Sequence, residues 1–185
     1  MQTSYTNFPN PPRAGSLADL NEGIVVTRAS ASDIPFGRFV VLDQGSDGAA
    51  DLLDNKAIPL VKLPGAATDV YNSDNFQKCE GIVVVTQSQQ AQYGLDATAT
   101  PSQYLAGQPM NVIRHGLVWV YVEEAVTPAD NPYVRHTAGA DSYAGTLAGN
   151  FNKGTDSSKS VSLGANARFM GSTSGAGLVQ LMIRL

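Results

Sequence analysis

Residues 111–122 constrain the fold more than any other part of the chain, because they form its densest run of β-branched and aromatic residues. The only tryptophan, Trp119, lies within this run. Such residues fit a pleated, half-buried surface, which predicts a strand. Alternation places Val112, Val118, Val120 and Val122 on one face, and Ile113, Leu117, Trp119 and Tyr121 on the other. Both faces are apolar, so we expect each to be covered by a second layer, a barrel wall or a partner subunit.

Gly116 interrupts this run. A glycine inside a strand pattern predicts a bulge or a tight turn rather than one straight strand. The run is also shorter than the roughly 20 apolar residues that a membrane-spanning helix needs. We therefore predict a bent, buried strand and no membrane partner.

The composition favours one all-β domain without a nucleic-acid partner. The chain has 185 residues and a net charge of −4, and blocks of basic residues are absent, so no electrostatic footprint for nucleic acid is present. Glycine, serine, threonine, asparagine and proline are frequent, which indicates many turns and few helices. About nine short apolar runs are separated by turn residues, which predicts an antiparallel sandwich or barrel.

The chain divides into an N-terminal arm, residues 1–15, and a single β domain, residues 16–185. Prolines of the arm fit neither a helix nor a central strand. Two interpretations have similar weight: a frayed terminus, or an extended arm whose aromatic residues dock on a neighbour. The arm residues that would make the docking contact are Tyr5, Phe8, Pro9, Pro11 and Pro12.

Outside residues 111–122, apolar patterns predict further strands and two long loops. The last eight residues place Val179, Leu181, Ile183 and Leu185 on one face, as in a strand paired inside a sheet. Polar composition predicts a long excursion over residues 88–107, with one short helix, and a mobile surface loop over residues 139–163. The other predicted strands cover residues 23–27, 38–42, 58–63, 81–86 and 167–170, with a short one near Val70-Tyr71.

Signals for catalysis or cofactor binding are weak, and we predict no enzyme and no cofactor. Cys79 is the only cysteine and fits a small buried residue better than a nucleophile. His115 and His136 lie in strand patterns without a zinc-binding spacing. Acidic residues from Asp43 to Asp54 partly match a calcium loop, but Gly45 replaces a ligand, so an ordinary Asp/Gly loop is the favoured interpretation.

Three stretches resemble the capsid cement, or decoration, proteins of tailed bacteriophages. The likeness lies in residues 7–19, which read Asn-Phe-Pro-Asn-Pro-Pro-Arg-Ala-Gly-Ser-Leu-Ala-Asp, in the strand-turn-strand centre over residues 107–122, and in the Gly-Ala…Arg-Phe…Gly pattern and terminal strand of residues 164–185. The inserts at residues 88–101 and 140–160 depart from shorter members of the family.

The resemblance implies a jelly-roll-like protein of the virion that binds the outer capsid surface and bridges neighbouring major capsid proteins, often as a dimer. Residues 117–122 or the terminal strand are the candidates for the dimer contact, with Leu117, Trp119 and Tyr121 as the named residues. The opposing hypothesis is that these residues are plain core. A second class of function, a carbohydrate- or receptor-binding β module, rests on the loop aromatics Tyr93, Tyr104 and Tyr143.

Overall fold

The computed structural model describes residues 13–19, 23–43, 59–70, 78–85, 103–138, 148–154, 156 and 158–185. Almost all regular structure within these ranges is β-strand, which confirms the all-β prediction. The strands are β1 (Ile24–Ser30), β2 (Ile34–Pro35), β3 (Phe39–Leu42), β4 (Leu60–Lys62), β5 (Cys79–Val84), β6 (Gln103–Tyr104), β7 (Pro109–Val122), β8 (Tyr133–Arg135), β9 (Phe151–Asn152), β10 (Ser160–Ser162), β11 (Ala167–Phe169) and β12 (Gly177–Arg184). A four-residue helix, α1 (Ala67–Val70), and a 3-10 turn at Gly164–Asn166 complete the set.

Five strands close into a barrel. The pairing order β1-β4-β3-β5-β7 returns to its start because β7 also pairs with β1. All of these pairings are antiparallel except β1 with β4, which is parallel. The barrel is filled by a cluster of apolar side chains, the barrel core: Ile34, Phe36, Val40, Val61, Val83, Tyr104, Met110 and Val112.

The second half of β7 leaves the barrel and becomes the centre of a second sheet. This sheet has the order β10-β8-β9-β7-β12-β11. Eight consecutive residue pairs join β7 to β12, from Gly177 opposite Val122 to Arg184 opposite His115. The terminal strand is therefore paired on both sides, as its apolar alternation predicts.

A larger cluster, the sheet core, fills the space between the barrel wall and the second sheet. Alternate residues of β3 and β5 point away from the barrel interior into this space, where they meet one face of the second sheet. Its members from the barrel wall are Phe39, Val41, Ile82, Val84 and Ile113, and those from β7 and β12 are Val118, Val120, Val122, Val179, Leu181 and Ile183.

A bulge in β7 decides which residues face which core. Ile24 lies opposite His115 and Val25 lies opposite Ile113, so Arg114 is an extra residue on β7. Gly116 follows with a φ of 131°, a conformation that glycine adopts readily. The strand continues through this point over 14 residues, so the bulge prediction is confirmed and the tight-turn alternative is wrong.

The bulge also overturns the predicted division of β7 into two faces. An extra residue reverses the alternation of side chains along a strand. Val112 lies in the barrel core, whereas Val118 lies in the sheet core, so these two residues do not share a face as predicted. Ile113 lies in the sheet core with Val118, not beside Leu117.

Two further sequence predictions are wrong. Val70 ends the helix α1 instead of forming a strand, and Tyr71 lies outside the described residues. The Asp69 carboxylate supports the start of this helix by accepting hydrogen bonds from the backbone N–H groups of Gly65 and Ala66 at 2.9 and 3.0 Å. The loop predicted over residues 139–163 contains β9 and β10, which pair with β8. The short helix predicted within residues 88–107 lies largely outside the described residues, which resume with β6.

Candidate binding surface

The second sheet presents an outer face on the side away from the sheet core. On β7 the side chains of Leu117, Trp119 and Tyr121 are half-buried, whereas the valines between them are fully buried. The same alternation on β12 leaves every second side chain on the outer side. The outer face comprises His115, Leu117, Trp119 and Tyr121 on β7, Leu178, Gln180, Met182 and Arg184 on β12, and Arg168 and Met170 on or next to β11.

Strand register makes this face continuous across three strands. Tyr121 lies opposite Leu178, and Leu117 lies opposite Met182. Met182 in turn lies opposite Arg168 on β11. One step further along, the backbone N–H of Met170 donates to the carbonyl oxygen of Gln180 at 2.8 Å. The three residues predicted as a dimer contact are thus brought together, and residues of the terminal strand, the alternative candidate, lie beside them.

The backbone beneath the outer face is held from the other edge of β7 as well. The N–H of Gly15 donates to the carbonyl oxygen of Trp119 at 2.7 Å, and the N–H of Trp119 donates to the carbonyl oxygen of Ser16 at 2.9 Å. The N–H of Ala18 donates to the carbonyl oxygen of Leu117 at 2.9 Å. Because both edges of the strand are bonded here, the side chains of the outer face stand on a fixed support.

The two ends of the outer face differ in charge. Of the outer-face residues, those at the end formed by Trp119, Tyr121 and Leu178 are uncharged. The other end carries Arg168 and Arg184, both exposed, and none of the outer-face residues is acidic. Beside these arginines the alternate residues of β11 and β12 form a groove of about 220 Å³, lined by Ala165, Asn166, Ala167, Arg168, Met170, Met182 and Arg184.

Sequence reasoning found part of this surface. Alternation in β7 identified Leu117, Trp119 and Tyr121, and these three do share a face. It missed the two arginines and Met170, because nothing in the sequence says that β11 lies beside β12. The arm residues Tyr5, Phe8, Pro9, Pro11 and Pro12 lie outside the described residues. The division into an arm and one domain therefore stays a prediction.

Tyr104 does not support a glycan-binding loop. It was predicted as an exposed aromatic, but it is 1 % exposed and belongs to the barrel core. Its hydroxyl donates to the carbonyl oxygen of Val84 at 3.1 Å, and its ring packs edge to face with Phe36 at a centroid distance of 5.1 Å. The other two aromatics of that hypothesis, Tyr93 and Tyr143, lie outside the described residues.

Cys79 and His136, two candidates for a reacting group, are buried and contact neighbouring residues of the fold. Burial raises the pKa of the Cys79 thiol to about 12, with Glu80 as the next cause, and the thiol donates to the carbonyl oxygen of Val70 at 3.1 Å. This agrees with the predicted small buried residue. Burial and the neighbouring Arg135 lower the pKa of His136, whose Nδ1 lies 2.8 Å from the Thr137 hydroxyl. His115 lies on the outer face, half-buried.

A buried ion pair closes the far end of β7. Nε and Nη2 of Arg135 donate to the two carboxylate oxygens of Glu123 at 2.7 and 2.6 Å, and Nη1 donates to Asp156 at 2.9 Å. The hydrogen bonds to Glu123, followed by those to Asp156, raise the pKa of Arg135 above its ordinary value despite the opposing effect of burial. Because the Arg135 guanidinium is already paired with both carboxylates, we interpret this ion pair as structural.

Metal and membrane features are absent from the part of the chain that the structure describes. No three His, Cys, Asp or Glu side chains there are grouped so as to hold a metal ion. Asp43, the first residue of the possible calcium loop, pairs with Lys62 at 3.0 Å, and the rest of that loop lies outside the described ranges. None of the helices in those ranges has the length and apolar character to cross a membrane.

Comparison with known proteins assigns the chain to a family. Residues 1–184 match the family of the structural cement protein, described by E217 gp24 and Pam3 gp6. No curated protein matches the chain.

Two solved structures are similar to this one. A chain from the capsid of Myoviridae phage XM1 is 17 % identical with a TM-score of 0.57, over 93 % of this chain and 89 % of that one. The head fiber gp8.5 N base of bacteriophage phi29 is 15 % identical over 87 % of this chain and 93 % of that chain, but its TM-score of 0.38 adds nothing to the argument. The first likeness supports the fold and the family match supplies the role: the chain belongs to the phage structural cement protein family and serves a structural, capsid-stabilising function.

Proposed function

We propose that this cement protein lies on the outer surface of the phage capsid and joins neighbouring copies of the major capsid protein. The observation that carries the proposal is the outer face, a sheet surface with an apolar end and a cationic end on a fixed backbone, in a member of a cement protein family. Contiguous apolar patches on soluble proteins mark interaction sites. The fold is shared with a chain from the capsid of phage XM1, which also supports a place on the shell.

The mechanism is mechanical. A bridging copy buries surface on at least two shell subunits, so separating those subunits also requires breaking the cement contacts. A stable contact of this kind buries on the order of 800 Å² on each partner. If two cement copies are joined, binding of the second copy becomes intramolecular, which raises overall affinity without strengthening either patch.

The uncharged end of the outer face is the proposed contact between two cement copies. A twofold contact places the same patch of both copies against itself, so like charges near the axis repel one another. Trp119, Tyr121 and Leu178 supply apolar area without charge, and aromatic residues are enriched at the centres of interfaces. The lack of charge, the aromatic residues and the half-buried state of these side chains support the dimer that the sequence resemblance implies.

The N-terminal arm is the proposed second contact with the shell. Tyr5 and Phe8 give it apolar anchors, and its prolines reduce the conformational freedom that is lost on docking. Deletion of residues 2–12 leaves Arg13 and the bonded residues 15–18 in place. We expect this variant to fold and to bind the shell more weakly.

Co-sedimentation with purified empty shells that lack cement protein tests the shell contact. The full chain is expected to pellet with the shells and to saturate at a fixed ratio of copies, and saturated shells should break at a higher temperature. The variant without residues 2–12 tests the arm, because unchanged shell occupancy would exclude it. Absence of binding by the full chain would refute the proposed function.

Sedimentation velocity tests the contact between copies. Trp119→Ala and Tyr121→Ala are expected to shift the protein from dimer toward monomer. Leu105→Ala is the control, because Leu105 is an apolar surface residue, 41 % exposed, that lies next to β6 and away from the outer face. A monomeric wild type, or equal effects of all three substitutions, would contradict the proposed dimer contact.

A further inference from the structure

We infer that the cationic end of the outer face binds a segment of the major capsid protein that carries a carboxylate next to an apolar side chain. The site consists of Arg168 and Arg184 with the groove between Met170 and Met182. The inference rests on the proposed function, since it specifies which chemistry of the shell protein this face recognises.

The two arginines are available to a partner. Arg168 and Arg184 are exposed, whereas the other lysines and arginines that the structure describes are buried or half-buried, and the chain as a whole is acidic. Neither forms an ion pair with another described residue, in contrast to Arg28 and Arg135. A guanidinium group presents a planar fork of donors that matches a carboxylate, so two of them on one face favour an acidic partner.

The groove beside the arginines fits a side chain rather than an organic ligand. Its volume of about 220 Å³ is below the roughly 300–1,000 Å³ of typical ligand pockets. Two methionines line it, and Met170 is 47 % exposed. Methionine is flexible and polarisable, so such a groove can adapt to an aliphatic or aromatic side chain.

Charge complementarity favours the shell protein over a second cement copy as the occupant. None of the outer-face residues is acidic, so a copy-to-copy contact made by this face would leave both arginines without a carboxylate. Among the described residues, β11 forms strand pairs with β12 and with no other strand. The two ends of the face thus have separate partners, a second copy at the uncharged end and the shell at the cationic end.

Shell binding by charge variants tests the site. Arg168→Glu and Arg184→Glu are each expected to weaken binding to empty shells by at least about tenfold, because like charges then face each other. Added salt should weaken binding of the wild type and strengthen the remaining binding of the double variant, because salt screens attraction and repulsion alike. Lys159→Glu is a control for net charge, since this half-buried residue undergoes the same change in charge at the opposite end of the sheet, next to β10.

The outcomes separate this inference from the proposed function. If wild-type protein binds shells and the double variant binds equally well, the cationic site is refuted while the cement role stands. If wild-type protein does not bind, both are refuted. Circular dichroism and the melting temperature of each variant show whether the fold is retained. Arg168→Lys and Arg184→Lys keep the charge but lose the planar fork, so they should bind shells more tightly than the glutamate variants and less tightly than wild type.

A zero-length cross-link identifies the occupant. The Arg168→Lys/Arg184→Lys protein is bound to shells and treated with a carbodiimide, which joins a lysine amine to a carboxylate in direct contact with loss of water. Mass spectrometry is expected to find one of the two introduced lysine side chains joined to an aspartate or glutamate of the major capsid protein. A cross-link from these side chains to a second cement copy or to another part of the same chain, or no cross-link from them, would overturn the assignment.

Discussion

The inner and outer faces of the second sheet are made by the same strands, yet their side chains differ in burial. On β7 and β12 the inner residues Val120 and Leu181 are fully buried, whereas their sequence neighbours Trp119 and Met182 remain half-buried. The inner residues of these two strands are aliphatic, whereas the outer face combines apolar residues with two arginines, a histidine and a glutamine. The faces therefore differ both in composition and in what covers them.

This difference separates folding from binding. The inner face packs on the barrel wall, so its residues determine whether the chain folds. The outer face contributes less to folding because its side chains keep part of their contact with water. Substitutions on the two faces should therefore affect different measurements, stability for the inner face and association for the outer face.

Deletion of Arg114 should have the largest effect, because it exchanges the two faces. Arg114 is the extra residue of the β7 bulge, and a shift of one residue moves every side chain of a strand to its opposite face. Trp119 and Tyr121 would then compete for the space that Val118 and Val120 fill. We expect an insoluble protein, or one without a cooperative urea transition by circular dichroism.

Deletion of Ser172 is the control for this experiment. Ser172 is exposed in the turn between β11 and β12 and belongs to neither core. The shortened turn should leave a cooperative transition with a reduced midpoint. A cooperative transition in the Arg114 deletion as well would show that the bulge does not fix the faces.

The bulge also explains how far the sequence predicts this fold. Alternation identified β7, β12 and the buried valines, because one apolar residue in two is a local signal. The phase change at Arg114 is set by pairing with β1, which lies far earlier in the chain, and no local pattern records it. Gly116 indicated where the strand is irregular, but it did not predict that Val112 faces the barrel core while Val118 faces the sheet core.

Short strands and paired charges escaped prediction for the same reason. Phe151 and Asn152 form a strand of two residues, which is too short for a periodic pattern, and it exists because β8 lies beside it. Glu123 follows an apolar strand, a place where a partner is needed, but the sequence does not name Arg135 as that partner. The outer-face arginines were missed because β11 and β12 are neighbours only in three dimensions.

Charges sharpen the comparison, because Arg135 is buried and paired whereas Arg184 is exposed and forms no ion pair with a described residue. Glu123→Gln removes the carboxylate that faces the Arg135 guanidinium, with side chains only 8 % and 6 % exposed. Breaking a buried ion pair from one side costs about 3–5 kcal/mol when the remaining charge is left unpaired. Because Asp156 still pairs with Arg135, urea denaturation should show a loss near the lower end of this range.

Glu124→Gln is the matched control for the ion pair. Glu124 is half-buried, and its Oε1 accepts a hydrogen bond from the backbone N–H of Lys153 at 3.0 Å, which a glutamine oxygen can also accept. We expect a loss well below that of Glu123→Gln. Equal losses of unfolding free energy in the two variants would mean that the ion pair between Glu123 and Arg135 stabilises the fold no more than the hydrogen bond of Glu124 does.

Alanine substitutions at two adjacent residues of β12 compare the faces directly. Leu181→Ala removes a fully buried side chain of the sheet core and should lower the unfolding free energy by about 2–5 kcal/mol. Met182→Ala, on the outer face, should lower it by less than about 1 kcal/mol. Shell binding should follow the opposite order once each protein is compared at a temperature where it is folded. Similar stability losses would show that the outer face belongs to the core.

The smallest expected effect concerns Asp156, the more exposed of the two carboxylate partners of Arg135, and it depends on pH. The hydrogen bond from Arg135 lowers the pKa of the Asp156 carboxyl below its ordinary value. A carboxyl whose pKa is lower in the folded than in the unfolded chain stabilises the fold above its unfolded pKa, and this contribution is lost as the pH falls through the folded pKa. Wild type should therefore be slightly more stable than Asp156→Asn at neutral pH, and the difference should shrink as the pH falls below the ordinary aspartate pKa of about 3.9. Urea midpoints measured from about pH 7 to pH 2.5 test this, and a difference that persists in acid would mean that Asp156 acts through packing instead of charge.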